Sequence, residues 1–490
     1  MIFIYTKIKK LAAKGAWQDI LAIHRLSNVM EKDVRAAPLV MIAALEAGDD
    51  TAVASLLAGA HAKPLPDAAA LAMASKLLVW SKPDEAWALI KTIDPSVDPT
   101  KLSALCHRVQ RHTTNPDIKA AAAELFGTVL QNPNAAADIS QDDEPIAGRK
   151  GRVSPYQFVA SGAGEETAPG TLDILESPTV DPIHKARNLD LWNRMEDKIA
   201  QKRQPKVMVY DDVLVNSLGQ IWRASGEVIY NANRPLDTAT YANAVHVERA
   251  VLASNATRGF YHWFAEHLPS LNWMLSAPQL DATVLFGAHS RSFQDETMAL
   301  IGSRSPNFTR IPQVVHCAEC YVPDIAIDRL AQWSYFSETY DLIRKNAALA
   351  APYVAPSNII YISRRDTERR VMSNEDRLEA SLTELGVEVC LFSDMTLAEQ
   401  IQKVQLAKMV IAPHGAGLTH LIAARPGLRV LEIMPSQTGS HSLRFNFARL
   451  SRVRGHHHTM WLEPVNPVTQ SWSVNLAPFM RVVEAQMAKV

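Results

Sequence analysis

At 490 residues the chain is too long for a single hydrophobic core, so two or three domains are expected. Its 50 basic and 51 acidic side chains leave a formal net charge of -1, which excludes a nucleic-acid binder that relies on bulk positive charge. No apolar run reaches the roughly 18 residues that span a bilayer, Met1–Thr6 is too short for a signal-peptide core, and four cysteines suit a reducing compartment, so a soluble cytoplasmic protein is expected.

Residues 1–130 are rich in alanine and leucine with helical periodicity and little strand character. Passages beginning at Gly15-Ala16-Trp17, Gly48-Asp49-Asp50 and Lys82-Pro83-Asp84 recur at a step of 33 to 34 residues, each followed by an apolar helix face. That step predicts tetratricopeptide-like helix pairs and a surface for self-association or a protein partner. Residues 131–190 change character, with Asn-Pro-Asn, Ser-Gln-Asp-Asp-Glu-Pro and Gly-Arg-Lys-Gly-Arg in succession, and read as a flexible linker. Residues 191–350 open with short strands around Val207–Tyr210, Ile221–Trp222 and Glu227–Tyr230, and continue through His246–Leu252 into Gly259–Pro269; they form a first α/β domain.

Residues 351–490 alternate strand and helix: Asn358–Ser363, a helix from Glu375, Val387–Phe392, a helix from Thr396, Met409–Pro413, a helix from Leu418, then Val430–Met434. Such alternation specifies a parallel, doubly wound sheet, which binds its ligands at the carboxyl ends of the strands. Arg364, His414 and Glu432 lie at or near such ends. The segment Pro413 to His420 reads Pro-His-Gly-Ala-Gly-Leu-Thr-His; Gly415 and Gly417 permit a tight turn and a close approach of backbone N–H groups to an anion. The fold expected is α/β, two Rossmann-like domains facing a cleft behind an all-α helical-repeat region. The run His456-His457-His458 precedes a strand-like segment whose alternation sends neighbouring side chains to opposite faces, and it is placed outside the site.

Upstream, His262 and Glu266 stand four residues apart and share one face of a helix. The His262-Trp263 helix, the strand end Ile359–Arg365 with Arg369-Arg370, the helix opening at Thr396, the His-Gly-Ala-Gly-Leu-Thr loop and the strand around Glu432 together resemble glycosyltransferase family 61 over Val207 to Pro435. His420 departs from the pattern, since many relatives carry asparagine after Leu-Thr. The resemblance implies a GT-B arrangement, an inverting transfer and a UDP-sugar donor carrying N-acetylglucosamine, xylose or arabinose.

Glycosyl transfer must hold a nucleotide diphosphate, stabilise its charge as it leaves and deprotonate an acceptor hydroxyl. No Asp-x-Asp occurs in the chain, which points to arginines and backbone donors and to no metal or other cofactor. Arg364 and then Arg369 are the diphosphate candidates, because guanidinium forks match phosphate oxygens. His414, Gly415, Ala416, Gly417 and Thr419 add loop donors, and Glu432 is placed to accept from ribose hydroxyls. The base is either His262, oriented by Glu266 and with a reference pKa of about 6.5, or Glu266 itself. The expected partners are a nucleotide sugar and a carbohydrate acceptor in surface-polysaccharide synthesis. Two competing readings are a polysaccharide pyruvyl transferase-like enzyme, which needs no ribose contact, and a non-catalytic scaffold with a degenerate transferase body.

Overall fold

The computed structural model describes residues 2–27, 32–130, 151–160, 168–180, 183–200, 204–232, 234–236, 244–253, 259–277, 280–287, 292–304, 306–311, 314–324, 333–368, 371–436 and 445–490. The first 130 residues are helical, and local sequence sets the helix starts. Asp49 accepts from the Ala52 N–H, Asp98 from Lys101 and Asn115 from Asp117 and Ile118, while proline occupies the first turn of the helices opening at Pro83, Pro99 and Pro116. Helices begin at Trp17, Asp50, Pro83 and Pro116, so successive starts lie 33 residues apart. The region docks on the body through the turn Asn466–Ser471. Asn466 Nδ2 donates to the carbonyls of Ala12 at 3.1 Å and Ala13 at 3.3 Å, and Val468 packs on the helical core.

The strands in chain order are β1 (Arg152–Val153), β2 (Thr171–Glu176), β3 (Val207–Asn216), β4 (Ile221–Trp222), β5 (Val228–Tyr230), β6 (Val245–Leu252), β7 (Thr283–Phe286), β8 (Phe308–Arg310), β9 (Val314–Pro323), β10 (Ile359–Ile362), β11 (Glu388–Cys390), β12 (Met409–Pro413), β13 (Arg429–Ser436) and β14 (His457–Pro464). The first sheet runs β5-β4-β3-β9-β6-β7-β8, with β1 beside β3. It is mixed: β3 is antiparallel to β1, β4 and β9, whereas β6 is parallel to β9 and β7. The expectation of a first Rossmann-like domain is corrected accordingly, because hairpin-length connections between β3, β4 and β5 impose antiparallel pairing on that half. Cys317 and Cys320 are buried on β9.

The second sheet is parallel throughout, in the order β11-β10-β12-β13-β14-β2. Leaving β10 the chain builds β11 on one side and then crosses back to build β12 on the other, so the switch point of the winding lies between β10 and β12. Met409, Ile411, Leu431 and Ile433 pack against the helices Glu375–Glu384 and Leu476–Met487 on one face. On the other, Val410, Ala412 and Val430 pack with Ile401 and Val404 of the helix Leu397–Leu406. That cluster continues into Val209, Val251, Val284 and Phe286 of the first sheet, so both sheets share one apolar core.

The stretch expected as a linker is corrected in part. Residues 131–150 and 161–167 lie outside the described residues, but β1 and β2 within it pair into the first and second sheets, and Phe158 and Ile174 are buried. Gly170 leads into β2 and donates its N–H to Arg452 O at 2.9 Å. A Cβ there would press on Ser451 O and lie 2.5 Å from His456 O and 2.8 Å from His456 N, all backbone atoms. Gly170→Ala is therefore expected to destabilise the chain by about 1–3 kcal/mol, measured by urea unfolding; unchanged stability would remove β2 from the sheet edge.

Candidate active site

The switch point places two loops at the carboxyl ends of β10 and β12, and these carry Arg364 and His414 to Thr419. The helix expected from Leu418 is a 3-10 helix that already opens at Ala416 and runs to Ala423, with Gly415 at its cap. Gly415 has an extended φ of -178°, so its glycine is needed for space rather than for a left-handed turn. A Cβ at Gly415 would lie 2.8 Å from Cδ and Nε of Arg364, and one at Gly417 would lie 2.8 Å from Cγ2 of Ile362. The Arg364 side chain thus lies against the loop, with Nη1 donating to the His414 carbonyl. Glu375 fixes the chain at the strand end, accepting from the Arg364 backbone N–H at 2.8 Å and from the Tyr361 hydroxyl at 2.8 Å. Burial lowers the pKa of Arg364 and raises that of Glu375. The leading amides of the helix, those of Ala416 and Gly417, have no acceptor within it and are available to an anion.

Behind the loop lies a buried polar chain. Glu432 is fully buried on β13, opposite Ala412. Its Oε1 is 2.5 Å from His414 Nδ1 and its Oε2 is 2.9 Å from His458 Nε2, while His458 Nδ1 is 2.8 Å from Ser451 Oγ. Burial pushes the Glu432 carboxyl up, but bonds and charge from His414 and His458 outweigh it and bring it down to about 2. This corrects the expectation for Glu432: both oxygens are taken by histidines, so it acts on His414 and makes no ribose contact. It also corrects the exclusion of the histidine run. Alternation does separate exposed His457 from buried His458, and the buried one joins the site.

From the first half, His262 ends a short helix, Phe260–His262, that widens into a π-helical turn over Trp263–His267, a distortion that recurs at functional sites. His262 Nδ1 lies 2.9 Å from Glu266 Oε2, with the side chains 33% and 16% exposed. Trp263 anchors the turn by donating to Thr297 Oγ1 at 3.2 Å. Rings connect it to the loop: Tyr261 lies 5.4 Å from His262 and 5.7 Å from Phe447, and Phe447 lies 5.0 Å from His414. His420 packs at 4.8 Å on Phe260 and 5.3 Å on Phe392, and bonds Gln400 through Nε2 at 2.8 Å.

The structure therefore brings together His262, Glu266, Arg364, His414, Gly415, Ala416 and Gly417. Thr419 is buried beneath the loop, with its hydroxyl lacking a partner among the described residues. Arg369 lies outside the described residues. Arg365 turns away to Glu379, Nε to Oε2 at 3.0 Å. Glu375 and His458 were missed: Glu375 reads as an ordinary helix-start acid, and its signal was its place eleven residues after Arg364 beside the same strand end.

Burial lowers the pKa of His267 to about 4, of His420 to about 3 and of His456 to about 3. An unfolded histidine titrates at about 6.5. The unfolded chain thus binds more protons between these values, and the stability these neutral rings confer is full above about pH 6.5 and lost as pH falls through the folded values. From these three groups unfolding at pH 5 should take up about three protons, on the order of 4 kcal/mol per pH unit. Urea unfolding across pH 5–6 measures the slope, and His420→Phe should lower it by about one proton.

Residues 260–431 match the family described as Glycosyltransferase 61, which the His-Trp helix and the His-Gly-Ala-Gly-Leu-Thr loop had indicated. The chain is 30% identical over 129 residues to Beta-1,2-xylosyltransferase RCN11 of Oryza sativa subsp. japonica, covering 22% of this chain and 24% of that protein. It is 36% identical over 55 residues to Beta-1,2-xylosyltransferase of Arabidopsis thaliana, covering 11% of this chain and 10% of that protein. The alignments thus span a quarter or less of these curated relatives. Among the described residues no helix is long and apolar enough to cross a membrane.

Proposed function

We propose that this chain, whose residues 260–431 carry the glycosyltransferase 61 region, is an inverting glycosyltransferase that moves a sugar from a UDP-sugar to a carbohydrate hydroxyl in glycan or polysaccharide assembly. The observation that carries the reading is the convergence, at one switch point, of the Arg364 guanidinium and the Gly415–Gly417 amides, with the His262–Glu266 pair brought alongside through Tyr261 and Phe447. In the reaction His262 Nε2, with Nδ1 held by Glu266, takes the acceptor proton. The acceptor oxygen attacks the anomeric carbon from the face opposite the diphosphate, and the bond from that carbon to the phosphate oxygen breaks. Arg364 and the loop amides receive the charge on the departing diphosphate, without a metal ion. The sugar named in both plant relatives is xylose, and a pentose is our first choice of donor. The N-terminal helices, with starts 33 residues apart, are proposed as a tetratricopeptide-like array for self-association or a protein partner, and the cytoplasm as the place of action.

Calorimetric titration of UDP with EDTA present tests the donor site. Binding should survive chelation and weaken by about 10- to 100-fold in Arg364→Ala, the loss of a charge-assisted hydrogen bond; absence of UDP binding to the folded wild type would overturn the reading. With a donor in hand, His262→Ala should lower kcat by about 10²–10⁴-fold while leaving UDP affinity unchanged. An unaltered kcat would remove His262 as the base and leave Glu266→Gln as the deciding variant.

A further inference from the structure

His458 lies on β14, beyond the matched region that ends at residue 431. Its surroundings nonetheless tie it to the loop. Ser451, His458, Glu432 and His414 form an unbroken line of hydrogen-bonding groups, with exposures of 0%, 1%, 0% and 5%. The line starts on the helix Asn446–Arg454, crosses β14 and β13, and ends on the loop after β12. Its protons can be assigned from the partners. Glu432, as a carboxylate, only accepts, so His414 gives it the Nδ1 proton and His458 gives it the Nε2 proton. The second ring nitrogen of His458, Nδ1, meets the Ser451 hydroxyl at 2.8 Å. At the far end His414 keeps Nε2, which is neither bonded nor fully buried among the described residues.

A cluster of this kind is a poor way to fill space. Neighbouring positions on the same sheet face carry Val430, Met434, Met460 and Leu462, which pack without polar atoms, and burying two imidazoles and a carboxylate carries a desolvation cost that their bonds only offset. What the line achieves that apolar residues cannot is orientation. Glu432 alone, with one oxygen free, could turn about its last bond; His458 holds that oxygen and so sets the plane in which the other meets His414. Resting on the donor-site reading above, we propose that His458, backed by Ser451, is a positioning residue that acts through Glu432 to fix the ring plane and Nδ1–H tautomer of His414, presenting Nε2 to the bound nucleotide sugar.

The test uses the full chain carrying ring-labelled histidine. His414 Nδ1–H, assigned by its loss in His414→Ala, should give a nitrogen and proton signal typical of a hydrogen bond to a carboxylate. In His458→Leu that signal should shift or broaden, and UDP affinity should fall by about 10- to 100-fold, the scale on which a misplaced site group costs activity. In His458→Gln, whose amide N–H reaches toward the place of Nε2, both should return toward wild type. Ser451→Ala, a milder change that keeps the fold if His458→Leu does not, should move the same signal in the same direction. A folded His458→Leu, or Ser451→Ala in its place, with the His414 signal unmoved would overturn the proposal. The two readings fail separately: wild type that binds no UDP refutes the donor site, while the His414 signal still decides whether His458 positions that ring.

Discussion

A carboxylate with no exposed surface, held inside a parallel sheet, is the constraint around which this site is arranged. Left alone in that position, Glu432 would carry a desolvation cost of several kcal/mol; it therefore requires two donors, and the loop leaving β12 and the strand β14 supply one each from either side of β13. Each donor then makes demands of its own. His414 must leave the sheet at the carboxyl end of β12, which fixes where the glycine loop begins. His458 must have a partner for its second nitrogen, which fixes the helix Asn446–Arg454 over this face, with Ser451 beside His458 and Phe447 against His414. Gly170 closes the arrangement, since the chain entering β2 passes so near Ser451 and His456 that no side chain fits. The edge of the sheet, the covering helix and the loop thus depend on one another through a single buried charge.

The first half of the body is bound to this arrangement by apolar contact and a few directed bonds. His420, from the loop helix, sits among Phe260, Phe264 and Phe392, so the turn that carries His262 and Glu266 rests on the loop that carries His414. Glu296 accepts from the Leu397 N–H at 3.1 Å, capping a helix of the second half from a helix of the first. A core continuous between two sheets resists the independent movement that a narrow inter-domain contact would permit. The placement of the His262–Glu266 pair relative to the glycine loop is for that reason a property of packing.

Periodicity was enough to read the parallel order of the C-terminal strands and the convergence of Arg364 and His414, because strand, glycine loop and helix are local patterns. The pair His262 and Glu266 was legible for the same reason: their spacing brings them together in any helical turn, α or π. What local pattern does not carry is lateral order within a sheet. Nothing in residues 168–180 announces that β2 is the sixth strand of a sheet whose other members begin near residue 359, and a polar, glycine-bearing stretch reads as a linker. The same ignorance hid His458. Alternation correctly separated it from His457, but only the register of β14 on β13 shows that it reaches Glu432, and only then does the carboxylate's role change from a ligand contact to an internal one.

The role of Arg364 follows from where its charge is kept. Burial depresses the guanidinium pKa, which is a statement that the charged form is held at a cost. Glu375 offsets part of that cost through its charge and, by accepting from the Arg364 backbone N–H and the Tyr361 hydroxyl, also sets the course of the chain. The glycine at 415 lets the guanidinium lie on the loop at a distance that no other residue would permit, next to amides that also point away from any acceptor in their own helix. Two kinds of donor are then concentrated in a place of reduced water content, where each acts on an anion more strongly than it would at the surface. The same desolvation that disfavours the lone guanidinium would strengthen its pairing with any anion brought beside the loop.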